Sequence, residues 1–280
     1  GAIFGKLMEI TGAAQSVAHF LVNLIGAKRA TLAVILGCSV LTYGGISLFV
    51  VVFAMYPIAL ALYREANITR KLIPGAIALG SFTFTMTAIP GTPQIQNLIP
   101  MDYFHTDPMA APILGIVGAL IMLVGGYMWL VWRERKFTAA GEGFTEPKGK
   151  EELLLDEDQL PNPYVSFLPL LSVILTLNLL DWHIVAALLS GVILSMVVNY
   201  KSFNKFTEAI NGGAQGSMLA IINTSAAVGF GSVVRAVPGF QALADLMMGI
   251  GGSPLVADAV AVNVLAGATG SASGGMGIAL

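Results

Sequence analysis

A chain of 280 residues that is 56% apolar and 11% charged holds less than half the charge of an average soluble domain, about 25%, which excludes a water-soluble enzyme. Fourteen Lys and Arg against sixteen Asp and Glu leave a formal charge of −2, so there is neither a basic face for nucleic acid nor an acidic tail. The single cysteine, Cys38, excludes an intrachain disulfide and a cysteine-based zinc cluster.

Thirteen of the charged residues fall between Arg133 and Asp158. Elsewhere long uncharged runs remain, and these read as membrane spans. The expected class is an all-α polytopic membrane protein. Gly1 opens no signal peptide, so the chain reads as an internal fragment. Three parts are expected: a first repeat over 1–132, a cytoplasmic linker over 133–163 and a second half over 164–280.

In the first repeat, Ala13 to Gly26 is predicted as an amphipathic helix along the membrane interface. Ala30 to Tyr63 then holds no charge over 34 residues. As one helix at 1.5 Å per residue it would be about 50 Å long, against about 30 Å of hydrocarbon. Lys28 and Arg29 precede the run, Arg64, Arg70 and Lys71 follow it, and basic residues mark the cytoplasmic side. A re-entrant hairpin over about 30–63 is therefore predicted, turning at Thr42-Tyr43-Gly44-Gly45-Ile46-Ser47; a tilted continuous span is the alternative.

Residues 72–101 are predicted to cross outward as a broken span. The stretch Ile89-Pro90-Gly91-Thr92-Pro93-Gln94-Ile95-Gln96-Asn97 sets two prolines and a glycine among three amides, and each proline removes a backbone donor. Irregular backbone at membrane depth survives only where protein or a water-filled cavity supplies hydrogen bonds, and transporters place substrate at such breaks. A proline kink without a ligand is the alternative. Residues 109–132 return inward, with Trp129 and Trp132 suited to an interfacial belt.

The linker has mixed charge, Gly and Pro without hydrophobic period, and is expected to be flexible. Spans follow at 164–180, 184–200 and 209–230. A second amphipathic helix over Gly239 to Gly252 and the start of a second hairpin, 254–280, truncated, complete the chain. With this topology the outer loops carry Asp102, His105, Asp107, Asp181 and His183 and no Lys or Arg, as the positive-inside rule requires.

From Gly5 to Ser47, an offset of 226 residues matches the chain to itself at eight positions, among them Ala33 with Ala259, Val34 with Val260, Gly44 with Gly270 and Ser47 with Ser273. The offset lays the first tip on Ala268-Thr269-Gly270-Ser271-Ala272-Ser273. Five intervening crossings, an odd number, would orient the second hairpin from the opposite side, and paired inverted hairpins are a secondary-transporter architecture.

Through LTYGGISLFVVVFAMYPIA, IPGAIALGSFTFTMTAIPGTPQIQN and GATGSASGGMGIAL, the chain resembles the gluconate:proton symporter (GntP-type) permeases of the ion transporter superfamily. The resemblance implies two inverted repeats with re-entrant hairpins and broken transmembrane helices. It also implies a homodimer with scaffold and moving transport domains, and alternating-access uptake of gluconate or a related small hydroxy or sugar monocarboxylate in the inner (plasma) membrane. The coupling ion would be a proton. Because the superfamily also holds citrate and dicarboxylate carriers, an organic-anion carrier coupled to sodium or protons is the alternative; a channel is another.

A sugar acid offers one carboxylate and several hydroxyls. Helix N-termini at tips and breaks carry about half a positive charge, enough to hold a carboxylate without a buried Arg. The substrate-binding candidates are Thr42, Tyr43, Gly44, Gly45 and Ser47 at the first tip and Gly91, Thr92, Gln94 and Asn97 at the break. Thr269, Gly270, Ser271 and Ser273 are those at the second tip. For each hydroxyl residue the competing reading is a side chain satisfied by its own helix. Gly44 and Gly270 are assigned to the turns as residues free to take positive φ. Asp258, in the first arm of the second hairpin, is the proton-coupling candidate. No cofactor and no metal are expected. HExxH is absent, no P-loop is complete, and no Ser and His share a depth for hydrolysis.

Overall fold

The computed structural model describes residues 1–26, 29–46, 48–147, 160–239, 242, 254–270 and 272–279. Ser47, Ser271, residues 148–158 of the charged run and most of the second amphipathic segment lie outside the described residues. The described residues are α-helical with short 3-10 turns and carry no strand. In chain order the helices are α1 Ala2–Ile10, α2 Ala13–Ile25, α3 Ala30–Tyr43, α4 Leu48–Glu65, α5 Ile73–Met86, α6 Ile95–Phe104, α7 Pro112–Ala139, α8 Pro163–Asn178, α9 Ile184–Val198, α10 Phe206–Ala236, α11 Pro254–Thr269 and α12 Ala272–Ala279. The chain forms two compact units, one of residues 1–97 and 107–214, the other of residues 98–106 and 215–280.

The first unit is built around α3. Ala33, Val34, Ile35, Cys38 and Leu41 are fully buried, and α2, α4 and α5 pack on it. Gly80 of α5 permits the closest approach: a Cβ there would stand 2.7 Å from the Cβ of Cys38. Beside it Ser39 Oγ donates to the Gly80 carbonyl at 3.1 Å. The helices α3 and α4 run antiparallel. Tyr63 Oη, near the end of α4, donates to Thr31 Oγ1, near the start of α3, at 3.0 Å. Halfway along, a Cβ on Gly37 would meet the Met55 side chain.

Local chemistry sets the boundaries. Pro74 stands in the first turn of α5, where its missing N–H costs nothing. Asn162 caps α8 by accepting from the Tyr164 N–H at 2.9 Å. The helices α4 and α7 each end in a Schellman turn with a left-handed residue just past the helix. After α4 that residue is Asn67, φ 53, and after α7 it is Gly141, φ 76.

One boundary changes. The stretch expected to return inward over 109–132 lies in a helix of 28 residues, Pro112–Ala139, so the expected flexible linker begins as helix, because no glycine or proline interrupts the sequence between Gly126 and Gly141. Residues 142–146 then fold back on the loop between α4 and α5. Lys71 Nζ pairs with Glu142 at 2.5 Å, Arg64 with Glu146 at 2.6 Å, and the Phe144 N–H donates to Asn67 Oδ1 at 3.0 Å. The helices α8 and α9 lie where spans 164–180 and 184–200 are expected; at 1.5 Å per residue they are roughly 24 and 22 Å long.

Among the described residues α7 alone is long and apolar enough by itself to span a membrane, and only 17% of its most apolar stretch is buried. Ile113, Leu114, Ile121 and Met128 are each more than 60% exposed. A water-soluble monomer does not leave so large an apolar face open; hydrocarbon is the medium that suits it. The chain is an all-α membrane protein. In the second unit α11 and α12 pack on one another across Gly270, φ 64.

Candidate functional site at a hairpin turn and a helix break

The turn after α3 is also a Schellman turn. The Gly45 N–H donates to the Thr42 carbonyl at 3.0 Å and the Ile46 N–H to the Leu41 carbonyl at 3.2 Å. The left-handed residue is Gly45, φ 93, whereas Gly44 sits at φ −72. Gly44 thus lies at the turn without taking the positive φ open to it. What excludes a side chain there is space, because a Cβ on Gly44 would lie 3.1 Å from the Leu170 Cβ of α8 and nearer still to the end of that side chain. Thr42 and Tyr43 are the last residues of α3 rather than part of the turn.

The break is where the prolines place it. Helix α5 ends at Met86 and α6 begins at Ile95. Between them Ala88, φ 49, and Gly91, φ 82, are left-handed. Asn97 lies within the first turn of α6 and holds the break from there: its Nδ2 donates to the carbonyls of Ile89 at 3.0 Å and Pro108 at 3.1 Å. The Gly91 N–H also donates to Pro108, at 2.9 Å.

Turn and break meet. Gln94 Nε2 donates to the Thr42 carbonyl at 2.7 Å, Thr92 Oγ1 to the Tyr43 carbonyl at 3.3 Å, and Tyr43 Oη to the Pro90 carbonyl at 3.1 Å. Pro93 lies against Gly45, where a Cβ would stand 3.0 Å from its ring. Six of the candidates, Tyr43, Gly45, Gly91, Thr92, Gln94 and Asn97, thus form one joint with the Thr42 carbonyl. The Thr42 hydroxyl itself is spent on its own helix, donating toward the Cys38 and Ser39 carbonyls, which is the competing reading for that residue.

Beside the joint is a cavity of about 560 Å³, within the size range of small-molecule sites. Tyr43, Ile89, Pro90 and Met109 line it near the joint, and Phe167 and Ile174 of α8 line the far side. Sequence reasoning missed Asn178, the last residue of α8. Its Nδ2 donates to the Gly91 carbonyl at 2.8 Å and to Ile174 in its own helix at 2.9 Å. Its only sequence signal was an amide in an otherwise apolar stretch.

Of the second-tip candidates, Gly270 takes the left-handed turn conformation and Ser273 lies in α12. Thr269 ends α11. Asp258 is exposed on α11. They belong to the second unit, and the first tip to the first unit. Among the described residues no group of three or more His, Cys, Asp or Glu is placed to hold a metal ion.

A family model described as GntP family permease matches residues 1–180. The uncharacterized transporter YxjC of Bacillus subtilis is 43% identical over the whole chain, which covers 68% of that protein. Two proteins of Haemophilus influenzae, an uncharacterized transporter and an uncharacterized permease, are 28% and 26% identical over 62% and 61% of the chain. The chain spans only 39% and 35% of their lengths in those matches. No solved structure matches. On the family match and the full-length likeness to a named transporter, the chain belongs to the GntP family of permeases, membrane transporters rather than enzymes.

Proposed function

We propose that the full-length protein is a multi-pass secondary transporter of the inner (plasma) membrane that takes up gluconate or a related small hydroxy or sugar monocarboxylate by proton symport and alternating access. The observation that carries this reading is the joint itself. A broken helix is tied to a hairpin turn by the neutral side chains Tyr43, Thr92 and Gln94, beside a cavity large enough for a small acid. The helix N-terminus at Ile95 supplies a dipole that holds a carboxylate without a buried Arg.

The helix pair α3–α4 is, in this reading, a re-entrant hairpin, and α11–α12 with Thr269, Gly270, Ser271 and Ser273 is its inverted counterpart. Ser47 and Gly44 belong to the first tip, Asp258 carries the proton, and two copies of the protein form the functional dimer. Uptake of labelled gluconate by the full-length protein in proteoliposomes, under an imposed pH gradient, tests it. Saturable uptake that disappears when the gradient is collapsed is expected. Saturable uptake of citrate or succinate alone would overturn the substrate, and non-saturable flux would overturn the carrier. An Asp258→Asn variant should lose gradient-driven accumulation while retaining counterflow.

A further inference from the structure

The break is rich in acceptors and poor in donors. Pro90 and Pro93 bring no N–H, and the Gly91 N–H is taken by the Pro108 carbonyl. Three of its carbonyls, those of Ile89, Pro90 and Gly91, are met by Asn97 Nδ2, Tyr43 Oη and Asn178 Nδ2. These bonds fix both carboxamides. Turning either one over would set its oxygen against a carbonyl, so the nitrogens are the atoms held on the carbonyls and the Oδ1 atoms are left free of these bonds.

Both Oδ1 atoms are buried and neither has a hydrogen-bond partner. Asn97 as a whole is only 8% exposed. The Asn178 oxygen is placed by its neighbours: it lies 3.1 Å from the point where a Cβ on Gly91 would stand, as do Tyr43 Oη and Met109 Sδ. Tyr43 and Met109 also line the cavity beside the joint. Buried acceptors are as a rule satisfied, and two orphans at one break call for a ligand that brings donors. A carboxylate brings none, and a hydroxyl brings one.

We infer that Asn97 and Asn178 form a hydroxyl-reading subsite, in which their Oδ1 atoms accept hydrogen bonds from hydroxyl groups of the substrate while its carboxylate is held elsewhere. This rests on the transport reading above and adds a specificity residue, Asn178, on α8. The subsite selects for hydroxylated acids over their deoxy analogues of equal length.

The test uses the full-length protein in proteoliposomes, with gluconate against hexanoate and 3-hydroxybutyrate against butyrate as competitors of labelled gluconate. The wild type should prefer the hydroxylated member of each pair, and Asn178→Ala and Asn97→Ala should each reduce that preference about tenfold or more. Asn178→Asp keeps an acceptor but no donor, so it should retain more of the preference than Asn178→Ala. It also serves as the second variant if alanine impairs folding. Equal weakening of both members of a pair overturns the subsite and leaves a purely structural clamp. A sodium dependence that is lost in the variants, with preference unchanged, overturns it in favour of a cation site. A wild type that takes up no organic acid overturns the transport reading itself, and the subsite with it.

Discussion

Gly91 is the residue at which the break tolerates least change. Its φ of 82 is strained for any L side chain by about 1 kcal/mol or more. A Cβ would also press on Tyr43 Oη, Asn178 Oδ1 and Met109 Sδ, each 3.1 Å away. Gly91→Val in the full-length protein should therefore reach the membrane and lose transport, read as uptake against surface expression. Gly44→Val should do the same for another reason, the collision with Leu170; Leu170→Ala in that background should restore part of the activity. Gln94→Leu removes one donor to the Thr42 carbonyl and should lower stability in detergent by about 0.5–1.5 kcal/mol. The sequence marked Gly91, Gln94 and Asn97 because prolines, glycine and amides inside an apolar run have few other uses. It did not mark Asn178, whose importance arises from contact with a loop 87 residues away in sequence. Nor did it separate Gly44 from Gly45, since either can be the left-handed residue of such a turn.

The long helix α7 shows why composition alone misjudged an element. The density of charge after Trp132 reads as a solvated linker, yet Arg133 to Ala139 contains only residues a helix accepts and continues it. Arg133 and Lys136 lie over Phe137 and Trp132. Glu134 reaches the base of the hairpin. Tyr63 Oη donates to Thr31 Oγ1 and Thr31 donates to Glu134 Oε2 at 2.9 Å, a chain of two buried hydroxyls ending on a carboxylate. Glu134→Leu leaves that chain without its acceptor and should destabilise the protein by about 1–3 kcal/mol, while Glu134→Gln, which keeps an acceptor, should cost less; thermal unfolding in detergent measures both. The strap that follows is held differently. Its ion pairs, Lys71 with Glu142 and Arg64 with Glu146, are all more than 40% exposed, so each contributes at most about 1 kcal/mol. Glu142→Gln with Glu146→Gln should barely move the unfolding temperature but should speed limited proteolysis at residues 142–147, most visibly at low salt, where the native pairs are strongest. Unchanged proteolysis would mean that Asn67 and Phe144 hold the strap on their own.

Both helical hairpins carry the mark of the 226-residue offset: α3 ends at Tyr43 and α11 at Thr269, the same repeat position. The fold class was legible from charge alone, since seventeen charges shared among 254 residues permit little but apolar helices. The lengths of the single helices were not, because an uncharged run does not say where a helix stops and a 3-10 turn such as Tyr200–Lys205 begins. Topology is therefore the prediction that reaches furthest. The contact between Thr31 and Tyr63 brings the two ends of the α3–α4 pair together, so Arg29 and Glu65, both exposed, are expected to face one compartment, which by the positive-inside rule would be the cytoplasm. In a Cys38→Ala background, single cysteines at Arg29, Glu65 and Lys148 should react with an impermeant thiol reagent only in permeabilised cells. Cysteines at Asp102 and Asp181 should react in intact cells. Labelling of Arg29 and Glu65 from opposite sides would make residues 30–63 a crossing and remove the re-entrant hairpin. Labelling of Asp102 and Lys148 from the same side would mean that α7 does not cross, and with an even number of crossings between them the two hairpins could not be inverted.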